Sequence, residues 1–119
     1  MNPIVKKDIL LVLGDASLIV KTGEFFKLRE LSDHVIHNVS IFQDKDSITI
    51  AVTIYSLSKL YTGSHDLIEI VLPHLTNAKM HLEKDEYELY EKEISHILRD
   101  ISRIDKKTKF YVQEVLEKA

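Results

Sequence analysis

The chain has 119 residues, 45% of them hydrophobic and 29% charged, with a formal net charge of −3 and no cysteine. That length suits one domain with a buried core, and the missing cysteine excludes disulfides, thiolate metal sites and a thiol nucleophile. The negative balance excludes a global basic field for nucleic acid and leaves that role to a local basic patch.

Three glycines and two prolines punctuate the sequence, which is otherwise rich in Leu, Ile, Glu and Lys. Few breakers and many helix formers predict an all-α protein, a single helical domain over 1–119. Helix one is predicted from Pro3 to about Lys21, with Asn2 as its cap and Thr22-Gly23 as its end. Ile4, Ile9, Leu10, Leu13 and Leu18 supply its apolar area, and Gly14 marks a bend or break. The segment does not read as a signal peptide. Asp8 interrupts its charged region, the apolar run Ile9–Leu13 is short, and no small-residue cleavage pattern follows. No window approaches the length of a membrane span. With cysteine absent, the expected location is the cytoplasm.

Helix two is predicted over Glu24–Gln43. Leu28, Leu31, Val35, Val39 and Phe42 form an apolar stripe, with Glu30, His34 and His37 on the opposite side. Asp46 or Ser47 is the expected cap of the next element, Ile48–Tyr61. There ITIAVTIY alternates as a strand would, yet the run continues as SLSKLY to Gly63 and a lone strand has no partner, so helix is preferred. Helix four runs from the cap Ser64 to about Glu83, with Pro73 expected to kink or split it. Helix five, Asp85–Ile104, repeats Tyr87, Tyr90, Ile94, Ile97, Ile101 and Ile104 at steps of three and four. Helix six spans Lys107–Lys118. Five to six helices joined by short turns predict a compact bundle, mostly antiparallel and up-and-down. Stacked helical hairpins are the runner-up, although no repeat is visible.

Three constellations bear on function. Glu30-x-x-x-His34-x-x-His37 has the helical spacing of a metal half-site, since ligands at i+3 and i+4 reach one ion. No second helix offers a matching set, because His65, His74, His81 and His96 are scattered, so no metal and no cofactor is expected. Arg29-Glu30-Leu31-Ser32-Asp33-His34 has the form Arg-x-x-x-x-His. In a small all-helical protein this resembles the ribonuclease motif of the HEPN superfamily. The resemblance implies a metal-independent ribonuclease, with Arg29 holding phosphate and His34 as general acid–base beside a 2′-hydroxyl. Arg29 and His34 lie about 140° apart on an ideal helix. The resemblance therefore implies a dimer whose second subunit completes the site.

The third constellation is one of charge. Residues 83–93 carry a net −4 and residues 99–109 a net +3. Acid at the start and base at the finish of helix five complement its dipole. Arg99, Arg103, Lys106, Lys107 and Lys109 are also suited to RNA or an acidic protein, with Phe110 and Tyr111 to stack on bases. Phe26 and Ile41 fall on the polar side of helix two near His34 and His37, the composition of a protein interface. Nucleotide chemistry is not expected, because the Gly-rich phosphate loop, the Gly-x-Ser-x-Gly elbow and the dinucleotide fingerprint are all missing. The sequence thus predicts a small cytosolic interaction protein that self-associates or docks on a larger protein or ribonucleoprotein assembly. Its binding residues are Phe26, His37, Ile41, Arg99, Arg103, Lys106, Lys107 and Lys109, and the HEPN-like ribonuclease and the metal-binding bundle are the alternatives.

Overall fold

A computed structural model describes the backbone of residues 1–42, 44–60 and 65–104, with side chains over 1–38, 44–59 and 69–101. The order is α1 (Pro3–Thr22), α2 (Lys27–Phe42), α3 (Lys45–Leu60), α4 (His65–Glu83) and α5 (Tyr87–Ile104). No strand occurs among the described residues. The predicted sixth helix, Lys107–Lys118, lies outside them.

Helix α1 begins where the Asn2 side chain accepts a 2.8 Å hydrogen bond from the Ile4 amide and Pro3 occupies the first turn. It ends at Gly23, whose φ of 77° is the left-handed geometry that glycine adopts without a Cβ clash. Gly14 does not break it: α1 is one helix of 20 residues. The α4 lysine Lys79 lies across α1 at Gly14, where a Cβ would meet its Nζ at 3.5 Å, an ordinary van der Waals contact.

Helix α2 starts three residues later than its pattern predicts. Residues 24–26 form the turn, closed by the Lys27 amide donating to the Glu24 carbonyl at 3.0 Å. Phe26 therefore sits on that turn rather than on the helix. The cap of α3 is Asp44, not Asp46 or Ser47, because Asp44 Oδ2 accepts from the Ser47 amide at 3.4 Å.

Residues 48–60 are helical despite their β-branched content. Ile48, Ile50, Val52, Thr53, Ile54, Ser56 and Leu57 are all buried, so α3 packs on nearly every side. That burial outweighs the intrinsic strand preference. The threonine hydroxyls fold back on the helix, Thr49 to the Lys45 carbonyl at 2.8 Å and Thr53 to the Thr49 carbonyl at 2.7 Å.

Helix α4 runs unbroken through Pro73. Glu69, whose carbonyl loses its partner to the proline, is an exposed residue. Helix α5 buries Tyr90, Ile94, Ile97 and Ile101 as its period predicts. The buried Tyr90 phenol is pushed well above its usual value by desolvation.

The most extensive contacts pair α2 with α3, α4 with α5 and α1 with α4; α1 also touches α2 and α3, and α3 touches α5. The five helices enclose one main core of α1 (Ile9, Leu13, Ala16), α2 (Leu28, Val35), α3 (Ile54, Leu57), α4 (Leu75, Leu82) and α5 (Ile94, Ile97). Among the described residues no helix is long and apolar enough to cross a membrane.

Candidate functional site

The polar side of α2 meets α1 at a small cluster. Asn38 Nδ2 donates to Asp8 Oδ2 at 2.9 Å and lies 3.3 Å from His34 Nε2. Asp8 Oδ1 is 3.7 Å from the same imidazole nitrogen, and the His34 side chain is 57% exposed. The carboxylate and amide hold the imidazole at the α1/α2 seam. No nucleophilic side chain is placed with it by any of these contacts, so the cluster by itself is a polar buckle between two helices.

Arg29 is exposed on the same helix. The described contacts do not join Arg29 to His34. His37 is exposed too. Glu30, His34 and His37 do not form a metal-holding group, and neither does any other set of three His, Cys, Asp or Glu side chains among the described residues.

Between the buckle and the α1–α2 turn lies a groove of about 360 Å³. Its lining includes the apolar Leu18, Ile19 and Leu31 and the acidic Asp15, Glu24 and Glu30. Lys27 answers Glu24 at 2.8 Å, and that bond raises the ammonium pKa. Asp15 and Glu30 leave the lining acidic.

The groove runs into a feature that the sequence pattern does not flag. Ile4, Leu11 and Leu18 stand on the outer face of α1, 65%, 61% and 60% exposed. The spacing is seven residues, so the three side chains form one line along the helix. Ile4 and Leu18 are therefore not core residues, whereas Ile9 and Leu13 are. Phe26 is 62% exposed on the turn that follows α1.

Other expected residues divide by location. Arg99 is exposed on α5. The side chains of Ile41 and Arg103, and all of Lys106, Lys107 and Lys109, lie outside the described residues.

The structure also joins two histidines that look scattered in the sequence. His74 of α4 and His96 of α5 have ring centroids 5.4 Å apart, edge to face. His74 Nδ1 lies 2.6 Å from Glu93 Oε2. The Glu93-x-x-His96 spacing on α5 was the available signal. Nearby, His81 Nδ1 meets Glu86 Oε1 at 3.2 Å. These pairs cross-link α4 to α5 and the turn before it.

No protein-family model matches the chain, and no curated protein and no solved structure is significantly similar to it.

Proposed function

We propose that this protein is a small cytosolic helical interaction protein, an up-and-down bundle whose working surface is the outer face of α1 with the groove beside α2. The helix directions are supported by the contacts of Asp8 with Asn38, Lys6 with Asp85 and Lys79 across Gly14. The observation that carries the function is the line of Ile4, Leu11 and Leu18, each at least 60% exposed on a helix whose opposite face is core. Single exposed apolar residues are ordinary on protein surfaces, but an aligned set beside an acid-lined groove is the composition of a contact surface. Phe26, an expected binding residue, adds an exposed aromatic at the end of the same helix.

Site-specific photo-cross-linking tests the proposal. A photoreactive amino acid at position 11 is expected to capture protein in the native cell, whereas one at Glu88, exposed on α5, is expected to capture far less. Equal, background-level labelling at both positions would refute it.

A further inference from the structure

The surface described above is asymmetric in charge, and that asymmetry selects a partner and an orientation. With Leu11 as the reference on an α-helix, Ile4 and Leu18 fall within about 20° of it. Lys7, Gly14 and Lys21 lie about 40–80° to one side, and Asp15 and Asp8 about 40–60° to the other. The neighbouring helices extend each edge. Lys79 of α4 lies across Gly14, its Nζ 3.5 Å from where a Cβ would be. Glu30 of α2 lines the groove next to Asp15 and Leu18. An apolar line thus runs between an edge carrying Lys7, Lys21 and Lys79, the last 3.7 Å from Glu83 on its own helix, and an acidic edge of Asp15 and Glu30, continued by Asp8, which also accepts from Asn38.

Resting on the interaction function proposed above, we infer that the partner is a second copy of this chain, docked α1 against α1 with the two helices parallel. Two copies of such a face pair in two symmetric ways. A two-fold axis perpendicular to the helices makes them antiparallel and sets like edges together, acid on acid and base on base. A two-fold axis along the helices makes them parallel and sets each basic edge against the partner's acidic edge. Lys7 then stands level with the partner's Asp8, and Lys79, at the height of Gly14, stands level with the partner's Asp15. Ile4, Leu11 and Leu18 each meet their own equivalent across the axis, as in a heptad seam. Like charges brought together disfavour the antiparallel form, so charge fixes orientation while the apolar line provides attraction. The contact follows one helix for about 21 Å. That places it among the small interfaces, below about 1,200 Å² in total, where association is weak and reversible.

The chain contains no cysteine, so single cysteines report the arrangement directly. Under mild oxidation of the full chain, Ile4→Cys and Leu18→Cys are each expected to form a disulfide-linked homodimer, as is Leu11→Cys. Glu88→Cys, remote from α1, serves as the collision control. In the antiparallel form position 4 faces position 18. Ile4→Cys and Leu18→Cys alone would then stay monomeric while their mixture cross-linked, and that result would overturn the orientation.

Sedimentation equilibrium of the wild-type chain is expected to show a monomer–dimer equilibrium, with Leu11→Glu weakening it by roughly a hundredfold. A strict monomer at every accessible concentration would overturn the second-copy inference. The photo-cross-linker at position 11 then separates the two levels of the argument. An adduct of twice 13.8 kDa supports the second copy. An adduct with a different protein removes the second copy but keeps the interaction function, and no adduct removes both.

Discussion

Two leucines on α1, two positions apart, separate the role of its inner face from that of its outer face. Leu13 is fully buried, whereas Leu11 is 61% exposed. Truncating a fully buried leucine to alanine removes its transfer free energy and leaves a cavity, costing about 2.7–5 kcal/mol. A chain of this length is stabilised in total by about 6–18 kcal/mol at typical per-residue values. Leu13→Ala therefore removes a large fraction of that, and at about 3–6 °C per kcal/mol the melting temperature falls by roughly 10–25 °C. Leu11→Ala exchanges one good helix former for a better one and gives up little buried area in the monomer, so its effect stays within about 0.5 kcal/mol. The assay is thermal unfolding followed by circular dichroism at 222 nm, at a dilution where the chain is monomeric. It is repeated at high concentration, where self-association adds stability to the wild type by mass action. The expected pattern is a large, concentration-independent loss for Leu13→Ala. Leu11→Ala is expected to show a loss only at high concentration. If Leu11→Ala fell as far as Leu13→Ala in the dilute sample, Leu11 would be a packed core residue and the outer-face argument would collapse.

Further tests concern groups whose titration or burial is disturbed by the fold. Burial, with Asp44 and Glu91 nearby, raises the Asp46 carboxyl above its ordinary 3.8, so the folded state disfavours the ionised form. That penalty is present at neutral pH and fades as pH falls through the raised value. Asp46→Asn is thus expected to raise the melting temperature slightly at pH 7, with the gain gone by about pH 3; a drop at pH 7 would show that the charge is favourable. The opposite sign applies to Asp85, whose carboxyl is held below 3.8 by Lys6 and by the Tyr87 hydroxyl, which donates to Oδ1. Its contribution is present above the unfolded value and lost as pH falls through the folded one. Asn suits the same left-handed backbone at φ 59°, so Asp85→Asn is expected to melt lower than wild type at pH 7 and equally below about pH 2. Equal melting at both pH values would mean the ion pair is idle. Ser56 is fully buried and its hydroxyl finds no partner among the described residues. Ser56→Ala is therefore expected to be neutral or stabilising by up to about 1 kcal/mol in a urea titration, and a clear loss would reveal a hidden acceptor.

What was legible in the sequence follows from which forces act locally. The period of α5 is legible from Tyr90 to Ile101, because Tyr90, Ile94, Ile97 and Ile101 face one core while Glu88, Glu91, Lys92 and Arg99 are exposed. The caps at Asn2 and Gly23 were readable for the same reason, as each is satisfied within one turn. The segment 48–60 was ambiguous because its β-branched residues favour a strand intrinsically, and burial against α2, α5 and α1 decides otherwise. That decision is tertiary and leaves no local mark. The start of α2 is not legible in the pattern, because Glu24 and Phe26 fit a helical period while the left-handed Gly23 leads into a turn before the helix begins. At the candidate site, His34 was visible but its partner was not. Asp8 is 26 residues away and reaches it only because α2 folds back along α1. His74 and His96 met in the same way, across α4 and α5.

The outer face of α1 was hidden for a different reason, and that reason is itself an argument about function. Counting apolar residues along α1 assigns them all to one core, because Ile4, Leu11 and Leu18 interleave with Val5, Ile9, Val12, Leu13 and Ile19. Only the folded chain separates the two sets, one buried and the other exposed. A helix that is apolar all round is ordinarily surrounded by protein. Helix α3 meets that rule within the chain, since its neighbours cover it on nearly every side. Helix α1 meets it on its inner face only, while Ile4, Leu11 and Leu18 stand uncovered on its outer one. The simplest arrangement consistent with both facts supplies the second cover from outside the monomer. The edges of the uncovered face then decide what fits it, and a surface with base along one side and acid along the other is matched by its own copy turned about an axis along the helix.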